Sequence, residues 1–372
     1  MFNKHAVLGG RDRVKVAIAQ IAPRYLDKVA SIEVAIAAIK EASLNKADLV
    51  VFPEVWLSGY PYWTEGWDSK LPEWIGGRVS FYDSALVIPG KEVAQLAEVA
   101  KASDIHLVMG CNELDSRANI QTVYNTLLYI GRNGQILGRH RKLMPTFSER
   151  LYWGSGDGND LEIYETDIGR IGGLICGEHL ITSARSALIA MGEHIHIAVF
   201  PGSFALHTGP QLEEPDHGEA FWGYSTARSH AMEAGAFVIQ ACGYIESKDI
   251  PSDFQYKNKM NFSYAHGGSS VISPLGVPIV EPQFNSGIIY ADLEANMIKA
   301  VKAIVDSNGH YSRQDVFKLL MKKNGEWRDV QDLVAEDGLN LDYEKLSRSA
   351  DSSGGDVTGI IEKNSRLSTS PD

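Results

Sequence analysis

Cysteine is scarce in this chain: Cys111, Cys176 and Cys242 are the only three in 372 residues, far apart and with no CxxC pair. That excludes a disulfide framework and a zinc knuckle, and it fits a reducing compartment. Basic charge is also short, with 35 Lys and Arg against 47 Asp and Glu and a formal net charge of −12. Unspecific binding to nucleic acid or to an anionic membrane needs a basic face, so neither partner is expected. No run reaches the roughly 18 to 20 apolar residues of a membrane span. The opening MFNKHAVLGGRDRVKVAIAQ has no long apolar stretch of the kind a secretory signal carries. The expectation is a soluble, cytoplasmic protein without solenoid repeats.

What is present is a chain with 44% hydrophobic and 22% charged residues, enough for a packed core. Apolar runs of strand type alternate with amphipathic stretches. VKVAIAQ (14–20), ADLVVFPE (47–54) and IHLVMGCNE (105–113) read as strands, separated by helices over 28–43 and 90–103. TVYNTLLYIGRNGQILGRHRK holds two β-rich runs joined by Asn133-Gly134, a hairpin signal. The second half repeats the alternation, with strands at 168–175, 195–202 and 236–243 and helices near 183–191 and 219–233. Three short strands follow, in GSSVISP, VPIVEP and GIIYADL. The class is α/β with hairpins mixed in, which suits a purely parallel sheet poorly. The segmentation expected is a main domain over 1–315, an extension over 316–346 and a disordered Ser-, Gly- and Asp-rich tail over 347–372.

Three stretches carry chemistry. In GGLICGEHLITSARSALIA a β-like run ends in Cys176 and a helix opens soon after. A cysteine there is ordinarily a buried, inert thiol. Gly172, Gly173 and Gly177 around it would instead suit a sharp turn that presents the thiol, with backbone N–H groups near the sulfur. His179 reads equally as a neighbour of that turn. In VVFPEVWLSGYPYW, Glu54 leaves a strand among Trp56, Tyr60, Tyr62 and Trp63. It is either a solvated loop carboxylate or a general base whose pKa is raised by apolar surroundings. In GRHRKLMPTFSERLYWGSGDG, Lys142 closes a β-rich run and Glu149 follows among Pro, Phe, Tyr and Trp. The basic cluster 139–142 is a solvated face or the flank of a pocket loop. Glu178 orients the turn or makes a structural ion pair. His194 and His196 alternate with apolar residues as a strand does, with no third metal ligand in view, and Cys111 and Cys242 sit inside strand-like runs as inert thiols.

Taken together, FPE with Glu54, HRKLMPT with Lys142 and GGLICGEH with Cys176 resemble the nitrilase (carbon–nitrogen hydrolase) superfamily over about 14–313. PEVWLSGYPYW, KLMPTFSERLYWGSGDG and GHYSRQDVF resemble its nitrilase branch. The chain departs from many nitrilases in having Gly177, not Trp, after the cysteine. The resemblance implies a four-layer αββα sandwich, pairing into αββα–αββα homodimers or larger spirals, to which the extension would contribute contacts. It implies a catalytic set of Glu54, Lys142, Glu149 and Cys176, with the Gly177 N–H at the developing charge, and a small-molecule nitrile as substrate. Amides, carbamoyl compounds and cyanide are alternatives for the same four residues. Neither metal nor organic cofactor is called for. Tyr60, Trp63, Trp153 and Phe204 are pocket candidates, each equally suited to core packing.

Overall fold

Strand periodicity explains the layering. In the computed structural model, which describes residues 6–64, 71–203, 222–263 and 265–335, strand β1 (Arg13–Gln20) sends Val14, Val16 and Ile18 into one buried cluster and Ala17 and Ala19 into another. Alternation of this kind requires both faces of a sheet to be covered. The same split recurs on β2 (Leu49–Val51), β4 (His106–Leu114) and β5 (Val123–Ile130), where Val51, Val108 and Leu127 face one side and Val50, Leu107 and Leu128 the other.

These strands, with β3 (Leu86–Val87), β6 (Ile136–Arg141) and β13 (Gly287–Glu294), form a seven-stranded sheet ordered β13-β1-β2-β4-β5-β6, with β3 on β4. β1, β2 and β4 are parallel, while β13, β5 and the β5–β6 hairpin are antiparallel additions. A second, six-stranded sheet comprises β7 (Tyr164–Thr166), β8 (Gly169–Ile175), β9 (Ile195–Phe200), β10 (Phe237–Cys242), β11 (Ser269–Ile272) and β12 (Pro278–Gln283). Its core β8, β9 and β10 are parallel. Val16, Ile18 and Leu127 of the first sheet share a cluster with Ile175, Ile197 and Ile239 of the second, so the sheets lie back to back.

Helices α1 (Lys28–Leu44) and α3 (Lys91–Ala102) cover the outer face of the first sheet through Ile32, Ala35, Ile39, Val93 and Leu96. α4 (Thr182–Ala190) and α5 (Trp222–Ala234) pack on the second. The result is the αββα sandwich the resemblance implied. α2 (Leu71–Ser84) and α6 (Ala295–Ile304) are additional helices that the sequence pattern did not announce; α2 carries Gly76 and Gly77 mid-helix, which weaken its helical signal.

Contacts divide the chain into one unit ending at Phe317 and a second beginning at Lys318. The described part of the second is a hairpin of β14 (Leu320–Lys323) and β15 (Glu326–Asp329), followed by α7 (Val330–Ala335). The expected tail over 347–372 lies outside the described residues.

Candidate active site

β2 and β6 run the same way in the first sheet and β8 lies in the second, and each ends next to one of the candidate residues. Phe52 continues the ladder through its N–H to Val108 O (2.8 Å), and Glu54 follows two residues on, buried. Lys142 follows β6 directly; its N–H donates to Asn125 O and its carbonyl accepts from Gly156 N, both at 2.8 Å. Cys176 follows β8 and opens a 3-10 turn, Cys176–Leu180, that leads into α4. The thiol itself occupies the left-handed region at φ 51°, as do Val55 at 51° after Glu54 and Phe147 at 46° before Glu149. Such conformations cost non-glycine residues about 1 to 3 kcal/mol each. All three lie beside a candidate side chain. The sequence had suggested that the glycines supply the turn, but Cys176 takes the positive φ. Gly177 is required for space: a Cβ there would lie 2.5 Å from Thr146 Oγ1.

The four side chains converge. Lys142 Nζ donates to Glu54 Oε1 at 2.9 Å and to Glu149 Oε2 and Oε1 at 2.8 and 3.0 Å. Oxygens of both carboxylates and Cys176 Sγ all lie within 4.8 Å of one another. Asn125 Nδ2 donates to Glu54 Oε1 (2.6 Å), and Tyr60 O–H to Glu149 Oε1 (2.8 Å). The Thr146 N–H donates to Glu149 Oε2 (2.6 Å). Among the described residues, buried Glu54 Oε2 has no hydrogen-bond partner. A cavity of about 10 Å³ borders Glu54, Tyr60, Tyr62 and Tyr244, room for a single water.

Glu178 is the tie between two of these loops. Its carboxylate accepts from Ile175 N (2.7 Å) just before the thiol and from Leu143 N (2.6 Å) just after the lysine, and it pairs with buried His140 (2.9 Å). Burial would push His140 down, but Glu178 outweighs it and holds the imidazole above its usual range.

Electrostatics follow from burial. Loss of solvation raises Glu54 from 4.5 to about 7 in spite of the Lys142 ammonium. Burial would also lower Lys142, yet Glu149 and Glu54 hold it well above its usual value, so it stays cationic. Burial, together with Glu54 and Glu149, drives the Cys176 thiol well above its ordinary range, against the opposing pull of Lys142 and the Gly177 N–H. One ammonium, two acids, one of them raised to about 7, and one thiol are thus held together away from water. Glu54, Glu149 and Cys176 offer metal-type donors, but Lys142 already bridges the two carboxylates.

Of the pocket candidates, Tyr60 borders the cavity and touches Glu149. Trp63 lies in an aromatic cluster with Tyr25, Phe81 and Phe254, stacked on Tyr256 at 5.8 Å. Trp153 packs on Tyr60 at 5.8 Å and donates to Asn112 Oδ1 (2.6 Å). Phe204 lies outside the described residues. Asn125 went unrecognised, because one asparagine inside a strand pattern gives no local signal; Glu178 was read as orienting the turn or making an ion pair, and it does both.

Comparison with known proteins agrees with this geometry. A family model described as carbon–nitrogen hydrolase matches residues 15–303. Nitrilase 2 of Arabidopsis thaliana is 37% identical over 325 residues, covering 84% of this chain and 89% of that protein. A Nitrilase 2 from an unknown prokaryotic organism is 36% identical over 313 residues, 84% of this chain and 93% of its own length. Among solved structures, Saccharomyces cerevisiae Nit3, a member of branch 10 of the nitrilase superfamily, superposes with a TM-score of 0.64 at 23% identity, over 85% of this chain and 100% of that one.

Proposed function

The chain belongs to the carbon–nitrogen hydrolase family, in its nitrilase branch, and on that premise we propose that it hydrolyses an organic nitrile to a carboxylic acid and ammonia. The observation that carries the proposal is the buried lysine shared by two carboxylates beside the thiol of Cys176. A merely structural ion pair has no need of a thiol on a strained turn.

A nitrile carbon is a weak electrophile, which calls for a strong sulfur nucleophile. Cys176 attacks it while Glu54 takes the thiol proton at Oε2, the oxygen left without a partner. Negative charge grows on the nitrile nitrogen, where the Lys142 ammonium and the Gly177 N–H stabilise it; one preorganised donor of this kind is worth roughly 3 to 4 kcal/mol. The nitrogen takes up the proton that Glu54 accepted from the thiol, which gives a thioimidate and returns Glu54 to its basic form. A water activated by Glu54 adds to its carbon, ammonia leaves with the C–N bond, and a thioester remains. A second water at the same base releases the acid and returns the proton to sulfur. The water-sized cavity beside Glu54 is a suitable station for these waters. Glu149, held by Tyr60 and the Thr146 N–H, fixes the lysine.

Matched panels of nitriles and amides, with cyanide included, test the proposal by release of ammonia and formation of acid. Turnover of nitriles, abolished in Cys176→Ala and Glu54→Ala, is expected. Turnover of amides alone would make the chain an amidase working through the same residues.

A further inference from the structure

Beneath the nucleophile lies a row of buried titratable groups that the mechanism above does not use. His179 Nδ1 lies 2.9 Å from Cys176 O, and His179 Nε2 lies 3.1 Å from His196 Nε2. His196 Nδ1 meets Glu193 Oε2 at 2.9 Å, and the other oxygen of Glu193 bonds His230 Nε2. All four side chains are fully buried. Gly172 on β8 makes room for the acid, since a Cβ there would lie 2.5 Å from Glu193 Oε2.

The directions of the end bonds can be read by elimination. A carbonyl only accepts, so the proton between His179 and Cys176 sits on His179 Nδ1. Burial, with His196 adjacent, keeps His179 well below its usual pKa, so the ring is neutral and its Nε2 accepts. Burial lowers His196 to about 4, so its ring is neutral too and carries a single proton for its two contacts, with His179 Nε2 and with Glu193 Oε2. His230 Nδ1 is buried without a partner among the described residues, which places the His230 proton on Nε2, toward Glu193. Glu193, held well below its usual range by His196 and His230 in spite of its burial, only accepts; it fixes the two imidazoles behind His179, and the one bond that ends on Cys176 O is from His179 Nδ1–H. Although Glu193, His196 and His230 are donor types that bind metals, their facing atoms are engaged with one another.

The carbonyl at the end of the row belongs to the same peptide plane as the Gly177 N–H. We infer that His179 is a positioning residue: by donating to Cys176 O it sets the plane of the Cys176–Gly177 peptide and so aims the Gly177 N–H at the charge that grows on the substrate. A donor on the carbonyl also polarises the amide and strengthens its N–H. The inference rests on Gly177 acting in the manner proposed above. A left-handed φ at Cys176 makes such an external anchor necessary, because the peptide is held away from its relaxed geometry.

Three substitutions separate positioning from packing. His179→Phe keeps the ring stacked on Phe200 (5.2 Å between centroids, 27° between planes) but loses the donor. His179→Asn places an amide N–H where Nδ1 stood, whereas His179→Gln carries it one methylene too far. The expected result is a fall in kcat of at least about tenfold in the Phe and Gln variants with KM within about threefold, and recovery to within about threefold of wild type in Asn; removal of a whole oxyanion donor costs about 10² to 10³. Alkylation of Cys176 by iodoacetamide, mapped by mass spectrometry, needs no oxyanion donor and is expected to stay within about twofold throughout. Unchanged kcat in all three, a parallel loss of alkylation, or an Asn variant as poor as Gln would overturn the inference. If His179→Phe fails to fold, the Asn–Gln pair decides alone. Wild-type turnover of amides but not nitriles would overturn the nitrilase proposal and leave this one to be scored on amides; ammonia from neither would overturn both.

Discussion

Replacing Glu54 by Gln removes the proposed base while keeping its shape and an oxygen for Lys142 to bond. In the wild type, the carboxyl rises on folding from 4.5 to about 7 because it is buried. Its ionised form is the base, so kcat/KM is expected to climb with pH along a limb centred near 7. That value belongs to the coupled set of Glu54, Lys142, Glu149 and Cys176, not to one residue. Loss of a general base costs about 10² to 10⁴ in rate, and Glu54→Gln is expected to lose both that factor and the limb.

The same shift has a consequence for stability whose sign is fixed by linkage. A group whose folded pKa lies above its unfolded one binds more protons when folded. The corresponding stability is therefore fully present below pH 4.5 and is lost as the pH rises through about 7. The rise from 4.5 to about 7 corresponds to about 3 kcal/mol at 1.36 kcal/mol per pH unit. Glu54→Gln has no such proton to lose. Urea unfolding of both proteins at one protein concentration, from pH 4.5 to pH 8.5, should show the difference moving toward the variant by up to about 3 kcal/mol. A stability difference independent of pH would refute the raised carboxyl. An activity limb near 7 that survives in Glu54→Gln would refute its role as base.

Removing the cation is the more severe change. Lys142→Met leaves Glu54 and Glu149 buried without their shared partner, which is expected to cost about 3 to 5 kcal/mol in urea unfolding and to reduce ammonia release to background. Tyr60→Phe deletes the 2.8 Å bond to Glu149; a hydrogen bond to a charged group contributes about 1.5 to 3 kcal/mol, and a loss of about tenfold in kcat is expected from steady-state kinetics. Gly177→Ala puts a Cβ 2.5 Å from Thr146 Oγ1 and is expected to slow turnover about tenfold, with Thr146→Ala in the same chain restoring most of it. An additive double variant would show that the lost space at Thr146 is not the cause.

The parts of this site legible in the sequence are those whose signals are local. Glu54, Lys142 and Cys176 each close a β-rich run, and strand ends on one edge of parallel sheets are natural places for chemistry. The two layers of sheet followed from a resemblance, because alternation on β1 says that both faces are buried but not by what. Contacts made by side chains distant in sequence stayed hidden. Asn125 reaches Glu54 from across 71 positions, and Glu178 joins Ile175 to Leu143 through bonds that no spacing reveals. His196 looked like any residue of an alternating strand, yet its imidazole connects Glu193 to His179. Backbone strain was hidden too: glycines flank the thiol, and it is Cys176 that adopts the costly φ.

Charge decides the resting state of the nucleophile. Lys142 is the one cation in a buried set that already holds two acids, and a thiolate would add a further negative charge to it. Burial and the two acids accordingly hold Cys176 as a thiol, unlike cysteines activated by a helix N-terminus or a neighbouring cation alone. Passing the proton to Glu54 moves charge within the set without adding any, so it can accompany carbon–sulfur bond formation. Iodoacetamide should therefore modify wild-type Cys176 slowly at pH 5, with a rate that rises through about 7 as Glu54 ionises. In Glu54→Gln the rate at pH 7 should fall by about 10² or more. Fast alkylation that is flat down to pH 5, and indifferent to Glu54→Gln, would mean that a preformed thiolate is the nucleophile and that Glu54 acts elsewhere in the reaction.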